Sequence, residues 1–330
     1  MSTQPLRWCI KMLKILNIHG FASSGTTTTA KWLAEQYRDA TVLSPDVPVD
    51  PHEAVDFLQG LVAAEQPNLI IGTSMGGMFA ERFSGIHRIL INPAFEIADS
   101  IRAHYGMGRQ DFFNPRRDGA SYFLINKALI DAFREVSAEA FSHASDEEED
   151  AKVWGLFGRH DEVTSTLSLF RQHYSRAIVY EGGHRLDDHT RIHVLAPVLG
   201  WAIDKVLGRT RPVMFIALED TLMKDDGTPL GSAAHAFAHL SSIYDVYVVA
   251  ETDWYDSSHA ARCRAWVEKY LGVAAYNRLI ITPRPDQLMG DYFISAKAQP
   301  DFIGTHITYG SADFREWKHV LTFFDRLGGQ

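Results

Sequence analysis

Residues 69–77 read Leu-Ile-Ile-Gly-Thr-Ser-Met-Gly-Gly, an apolar run that ends in a Gly-x-Ser-x-Gly turn. A strand that turns sharply at this pattern and enters a helix exposes its serine hydroxyl at the end of a sheet. The flanking glycines are needed because the turn brings backbone segments too close for Cβ atoms and strains the serine. The stretch therefore predicts that Ser74 is a nucleophile at the exit of a buried strand.

Two later strand-like runs supply candidate partners for this serine. Residues 152–157 lead into a turn that carries Asp161 and its neighbour Glu162, and residues 177–180 lead into Glu-Gly-Gly and His184. Parallel strands deliver their exit loops to one edge of a sheet, so these side chains are expected to meet the serine. We assign His184 as general base and then general acid. Either carboxylate could turn inward, and its position directly after the strand favours Asp161 as the group that orients the imidazole.

The loop after the first strand-like run predicts an oxyanion hole. It reads HGFASSG over residues 19–25, and a loop of this kind lies beside the nucleophile with a backbone N–H facing the developing alkoxide. We expect the Phe21 N–H to be the first donor, with Ala22 as the alternative, and the Met75 N–H to be the second. His19 is interpreted as a residue that fixes this loop by hydrogen bonding and lines the substrate pocket.

Five motifs in one order resemble the YqiA/YcfP-type esterases, which are small bacterial α/β-hydrolases with little lid. They are HGFASSG, IIGTSMGG, ILINPAF, DEV and VYEGGH, and the resemblance spans residues 13–203. It implies hydrolysis of a carboxylic ester or thioester of a small acyl substrate, with Ser74, Asp161 and His184 as the triad. These esterases often have Asn before the histidine, where this chain has Gly183.

Alternating strand and helix patterns predict an α/β fold with a parallel central sheet covered by helices. Segment 96–150 is expected to hold an insertion that covers the substrate, in which Phe112 and Phe113 either wall an acyl pocket or pack in the core. The acidic run 146–150 is interpreted as a solvated loop. Strands are predicted at 13–18, 40–43, 69–72, 88–91, 152–157 and 176–180, and helices at 26–37, 51–65, 75–84, 122–136, 163–174 and 190–206.

A second strand–helix alternation begins after residues 208–211, which read as a linker between a domain at 13–207 and one at 212–330. Its opening, FIALEDTLMKDDGTPL, resembles the haloacid-dehalogenase-like phosphohydrolases, and the tail resembles their 5′-nucleotidase branch. The resemblance implies a second Rossmann-like domain. Its strands are predicted at 212–218, 245–250, 278–282, 292–295 and 306–309, and its helices at 231–243, 257–271 and 313–326.

The second domain lacks the carboxylates that this phosphohydrolase family uses. The nucleophilic aspartate falls at Ala217, and an alanine methyl cannot form an aspartyl-phosphate. The family's later lysine falls at Pro285, and its paired metal-binding aspartates fall at Ser295 and Ala296. We therefore expect a domain without phosphatase activity, in which the remaining Glu219 and Asp291 are structural. Whether it packs on the first domain, mediates oligomerisation or binds a phosphorylated ligand stays open.

Composition sets the expected environment of the chain. A net charge of −9 and a pI near 5.9 argue against nucleic-acid binding, and no apolar run is long enough to span a membrane. Only Cys9 and Cys263 occur, which fits the cytoplasm and supplies neither a disulfide framework nor a zinc set. No signal peptide is predicted, residues 1–12 are interpreted as an N-terminal extension, and Met12 is an alternative start that would be preceded by residues 1–11. No cofactor or metal is expected, and a homo-oligomer is left open.

Three functions are weighed on these grounds. A serine esterase is favoured because the nucleophile, base and acid occur in the required order. In the first alternative both halves are non-catalytic and the chain is a ligand-binding or scaffold protein. In the second, which is weaker, the C-terminal half is a Mg²⁺-dependent nucleotidase.

Overall fold

The structure is a computed structural model that describes residues 13–142, 144, 147–253 and 255–328. The extension predicted for residues 1–12, with the alternative start at Met12, lies outside the described residues. The chain divides after Gly208 into two compact units. Each unit is built around its own parallel sheet.

The first unit has a six-stranded sheet in the order β2-β1-β3-β4-β7-β8, and every neighbouring pair is parallel. Central strands are buried on both faces, so they read as continuous apolar runs. The exits of β1, β3, β4, β7 and β8 therefore share one edge, where ligands bind in open α/β sheets. The strands are β1 Lys14–Ile18, β2 Thr41–Leu43, β3 Leu69–Thr73, β4 His87–Ile91, β7 Val153–Gly158 and β8 Ala177–Tyr180.

Helices follow the strands of this sheet, and local caps fix several of their starts. The Thr27 hydroxyl caps α1, and the Asp50 carboxylate accepts hydrogen bonds from the first turn of α2, which has Pro51 at its first position. The helices are α1 Thr28–Gln36, α2 Pro51–Glu65, α3 Met75–Glu81, α4 Ile97–His104, α5 Lys127–Ser137, α6 Glu147–Asp150, α7 Leu167–Phe170, α8 Asp188–Thr190 and α9 Ala196–Val206, the last two joined by a π-turn at Arg191–Leu195. The predicted α/β fold class is confirmed.

The insertion between β4 and β7 differs from the sequence prediction. Residues 122–125, predicted as the start of a helix, form strand β6 (Tyr122–Ile125), which pairs antiparallel with β5 (Gly108–Asp111). Helix α5 begins only after Asn126, whose side chain caps it by accepting from the Leu129 N–H. The prediction was wrong here because one amphipathic pattern was extended across a capping residue.

Two further predictions in this unit were wrong. The helix predicted at 163–174 is confined to Leu167–Phe170, since the Asp161 carboxylate holds the backbone of Val163 and Thr164 in a turn. The acidic run was predicted as a solvated loop, but its residues 147–150 form α6; residue 146 lies outside the described residues.

Glu149 from α6 is buried against Arg88 on β4. Arg88 is fully buried, it forms an ion pair with the Glu149 carboxylate, and that carboxylate also accepts from the Gly85 N–H at 2.6 Å. A buried charge needs a paired and hydrogen-bonded partner, which these two residues provide for each other.

The second unit has a five-stranded parallel sheet in the order β11-β10-β9-β12-β13. Its strands are β9 Val213–Ala217, β10 Asp245–Glu251, β11 Leu279–Thr282, β12 Met289–Ser295 and β13 Ile303–Thr308, and its helices are α10 Ala233–Ser241, α11 His259–Tyr270 and α12 Trp317–Gly328, with short 3₁₀ turns at Gly272–Ala275 and Pro285–Gln287. Buried side chains from the sheet and helices form a separate hydrophobic core in this unit. None of the helices in the described ranges is both long and apolar enough to cross a bilayer.

Candidate active site

Ser74 occupies the sharp turn between β3 and α3. Its backbone angles are φ 57° and ψ −119°, a strained conformation for a residue with a side chain. The turn is held by two hydrogen bonds to neighbouring backbone, from the Ser74 N–H to the Ile91 carbonyl at 2.8 Å and from the Ala94 N–H to the Ser74 carbonyl at 3.0 Å. The serine is thus fixed at the exit edge of the sheet.

The glycines of the Gly-x-Ser-x-Gly motif are required by close backbone approach. A Cβ at Gly72 would lie 2.2 Å from the Gly76 carbonyl oxygen, and one at Gly76 would lie 2.1 Å from the Ile18 carbonyl oxygen. Both distances are far shorter than any real Cβ contact. Glycine is therefore required at positions 72 and 76 because helix α3 lies directly against strands β1 and β3.

Asp161 and His184 lie together beyond the ends of β7 and β8. The His184 Nδ1 atom is 2.9 Å from Asp161 Oδ2 and 3.1 Å from Oδ1, and the neighbouring Glu162 side chain is exposed. Burial by itself would raise the pKa of Asp161, but hydrogen bonds from His184 and Thr164 outweigh it and lower that pKa. An ionised carboxylate can only accept, so the His184 Nδ1 carries a proton and donates a hydrogen bond to Asp161; in the neutral tautomer of such a ring, Nε2 is the nitrogen with a free lone pair.

Asn92 connects the loops that carry these groups. It follows β4 with a positive φ of 43°, and its side chain is almost fully buried. Its Nδ2 group donates to the carbonyls of His184 at 3.0 Å and Gly183 at 3.1 Å, and its Oδ1 accepts from the Gly158 N–H at 2.7 Å. Sequence reasoning did not single out Asn92, although a polar residue directly after a buried strand in the ILINPAF motif was a usable signal.

Adjacent residues at the end of β4 hold the His184 loop and the Ser74 turn. Asn92 holds the His184 carbonyl, while the residue before it, Ile91, holds the Ser74 N–H. No hydrogen bond joins the Ser74 hydroxyl to His184 within the described parts of the chain. In hydrolases this bond is often long and tightens only in the substrate complex.

The HGFASSG loop lies against the serine. A Cβ at Gly20 would be 3.3 Å from the Ser74 Cβ and 3.9 Å from its Oγ. Among the described residues, neither the Phe21 nor the Ala22 N–H has a hydrogen-bond acceptor, and the Met75 N–H is at the first position of α3, where no intrahelical acceptor exists. These amides are available to a ligand oxygen, and the choice between Phe21 and Ala22 remains a prediction.

His19 is buried beneath this loop and is held neutral. Its Nδ1 is 2.8 Å from the Gly20 carbonyl oxygen, and its Nε2 accepts from the Val47 N–H at 3.0 Å. Burial is the main cause that lowers the pKa of His19 to about 4. Both ring nitrogens are thus used to fix the loop, and neither is free for proton transfer.

A pocket that is partly open to solvent lies beside the loop and the start of α3. Phe112 and His19 line it, whereas Phe113 does not; the Phe113 side chain is half exposed, with the Arg185 guanidinium 4.8 Å from its ring centroid. The wall is mostly apolar, with few polar groups, as in sites for small ligands. The lining residues are His19, Phe21, Ala22, Ser23, Val47, Pro48, Val49, Met75, Phe112, Arg116 and Phe123.

The second unit has different residues at the corresponding edge of its sheet. Strand β9 ends at Ala217, the position predicted to have lost a nucleophilic carboxylate. Thr221 accepts from the Ala296 N–H at 3.0 Å, so this edge is held by a neutral hydrogen bond. Asp291 accepts from the Val213 N–H at the opposite end of the sheet, which is a structural contact.

A protein-family model covers residues 14–193, more than half of the chain and including all the residues around Ser74. It is the uncharacterised protein family UPF0227. The chain belongs to this family. The resemblance drawn from the five motifs is therefore confirmed at the level of the family.

Solved structures similar to this UPF0227 member include several hydrolases. Est1E from Butyrivibrio proteoclasticus, solved with ferulic acid bound, is 15% identical, with 60% of this chain and 88% of that chain covered and a TM-score of 0.40. A hydrolase from Pseudomonas aeruginosa PA01 is 14% identical, with 60% and 90% covered and a TM-score of 0.39. These scores are low, and the fold assignment rests on the strand order and the turn at Ser74.

A curated relative is similar to a shorter part of the UPF0227 member. It is named "Putative 5'(3')-deoxyribonucleotidase", from Vibrio phage KVP40, and is 33% identical over 98 residues. The match covers 29% of this chain, and the chain spans 58% of the length of that relative.

Proposed function

We propose that the first unit is a serine hydrolase that cleaves a carboxylic ester or thioester of a small acyl substrate. The hydrogen bond between His184 and Asp161 carries the proposal, since a carboxylate at Nδ1 orients the imidazole so that Nε2 of the neutral ring can act as the base, on a loop tied to the Ser74 turn through Asn92. Membership of UPF0227, an uncharacterised family, sets no substrate by itself.

Acylation uses the serine and the imidazole together. His184 Nε2 takes the hydroxyl proton as Ser74 Oγ attacks the acyl carbonyl, and Asp161 stabilises the imidazolium that forms. The Met75 N–H and the Phe21 or Ala22 N–H donate to the oxyanion, and each such donor contributes about 3 kcal/mol of transition-state stabilisation. The imidazolium then returns its proton to the leaving alcohol or thiol, which leaves an acyl-serine.

Deacylation repeats the same steps with water. His184 removes a proton from the attacking water, the tetrahedral intermediate collapses, and Ser74 regains its hydroxyl as the carboxylic acid is released. The apolar pocket beside the oxyanion loop is the proposed location of the acyl group.

The second unit fits a haloacid-dehalogenase-like domain without phosphohydrolase chemistry. Its parallel sheet and the nucleotidase relative support the resemblance, and Ala217 at the end of β9 opposes an aspartyl-phosphate mechanism. A nucleotidase function would need a different nucleophile.

Turnover of defined substrates tests the proposal. The full chain is assayed with p-nitrophenyl esters of increasing acyl length and with acyl-CoA thioesters, beside Ser74→Ala and the matched control Ser84→Ala, which changes an exposed serine of the same unit. We expect Ser74→Ala to lower turnover by at least about 10⁴-fold and Ser84→Ala to leave it unchanged. Undiminished turnover in Ser74→Ala, or none by the wild type on any substrate, contradicts the proposal.

A further inference from the structure

Three side chains of metal-ligand type meet at the exit edge of the second sheet. Glu219 lies two residues beyond the end of β9, and His259 and Cys263 lie one turn apart on α11. Two ligands four residues apart on one helix project from the same face, as metal sites on helices require. Two cysteines far apart in the sequence gave no reason to expect a zinc set, and the His-x₃-Cys spacing was the missed signal.

The distances between the ligand atoms match a small coordination sphere. Cys263 Sγ is 3.3 Å from His259 Nε2, which is 3.8 Å from Glu219 Oε1, and all three atoms lie within 4.8 Å of one another. Tetrahedral Zn²⁺, with bonds of about 2.0–2.3 Å, separates its ligand atoms by about 3.3–3.7 Å. The three side chains therefore reach a common centre with small rotations.

The Glu219 carboxylate is poorly satisfied by the protein. Its Oε1 is buried and has no hydrogen-bond partner among the described residues, while its Oε2 accepts a long hydrogen bond of 3.4 Å from the Glu251 N–H. A buried polar atom without a partner needs an explanation, and an ion is one of the usual ones. The Lys297 ammonium group, whose charge acts on Glu219, is paired with the Glu251 carboxylate at 3.2 Å.

We propose that Glu219, His259 and Cys263 bind a zinc ion. A thiolate and an imidazole select Zn²⁺ over Mg²⁺, which prefers oxygen ligands only. Three protein ligands leave a fourth position for water or for an oxygen of a ligand. Binding converts the Cys263 thiol to a thiolate and releases its proton to solvent. All three ligands belong to the second unit, and none of them stands at the nucleophile or paired-aspartate positions of the phosphohydrolase resemblance, which are Ala217, Ser295 and Ala296.

Metal titration of the full chain tests the proposal. The protein is freed of any affinity tag, treated with a chelator and titrated with Zn²⁺ and with Co²⁺, whose thiolate charge-transfer absorption reports a sulfur ligand. The variants are Cys263→Ser, His259→Gln and Glu219→Gln. The matched controls are Cys9→Ser, which removes the other cysteine, and His235→Gln, which changes an exposed histidine of the same unit.

We expect one Zn²⁺ or Co²⁺ per wild-type chain, a charge-transfer band that is absent in Cys263→Ser, and affinity at least about 100-fold weaker in each ligand variant. Both controls should bind like the wild type. Circular dichroism identifies any variant that fails to fold, and His259→Gln and Glu219→Gln then decide the question, since neither removes a core side chain. A wild type without the band, or affinity unchanged in the folded ligand variants, overturns the proposal.

Discussion

Replacing Asn92 tests whether the His184 loop is held as the geometry indicates. Asn92→Ala removes the acceptor of the Gly158 N–H and the donor to the Gly183 and His184 carbonyls. Leaving a buried donor unsatisfied costs about 1–3 kcal/mol, and an alanine at a φ of 43° adds about 1 kcal/mol of backbone strain. We expect Asn92→Ala to lower the free energy of unfolding of the first unit by about 3 kcal/mol.

Activity separates positioning from stability in the same variants. Asn92→Gly loses the same hydrogen bonds without the backbone strain, so we expect it to be about 1 kcal/mol less destabilised than Asn92→Ala and equally impaired in catalysis. Because the loosened loop misplaces the imidazole, kcat should fall by about 10–100-fold with little change in KM.

Urea unfolding and ester kinetics on folded protein measure these effects. A kcat that stays at the wild-type value while stability falls refutes a positioning role for Asn92. If Asn92→Ala lowers the free energy of unfolding by less than about 0.5 kcal/mol, the stabilisation assigned to the Asn92 hydrogen bonds is wrong.

Three other predictions follow from the site. Asp161→Asn should lower kcat by about 10⁴-fold because it favours the wrong imidazole tautomer, whereas Glu162→Gln should leave kcat unchanged in the same ester assay. The folded-state pKa of His19, about 4, lies below its unfolded value of 6.5, so its contribution to stability is complete above pH 6.5 and is lost as the pH falls toward 4. Urea unfolding at pH 7 and pH 5 should show a loss of about 2 kcal/mol from this residue that is absent in His19→Asn. Gly76→Ala should destabilise the first unit by more than about 3 kcal/mol, because its Cβ would lie 2.1 Å from a backbone oxygen, whereas Gly60→Ala, in open space on α2, should stabilise it by about 1 kcal/mol in thermal unfolding.

The elements that form the sheet could be predicted because each buried strand is a short apolar run with a turn signal after it. Ser74, Asp161 and His184 each follow such a run, and parallel pairing brings the ends of their strands to one edge. The local sequence pattern was therefore sufficient to predict each of these three residues, because each one lies directly after its own strand.

Contacts between distant segments could not be predicted in this way. Asn92 joins three loops, and the burial of Glu149 depends on Arg88 from another strand; neither partner is visible from local periodicity. The β5–β6 hairpin was missed partly for this reason, because pairing with 108–111 makes residues 122–125 a strand, and partly because their apolar pattern was joined to the helix across the capping Asn126.

The nucleophilic serine is the central claim, and covalent labelling tests it most directly. A fluorophosphonate probe is incubated with the wild type, Ser74→Ala and His184→Ala, and the modified residue is located by peptide mass spectrometry. We predict one adduct per wild-type chain, located on Ser74, with none in Ser74→Ala and a much slower reaction in His184→Ala. An unlabelled wild type, in a tube where a known serine hydrolase reacts, or an adduct on another residue contradicts the account.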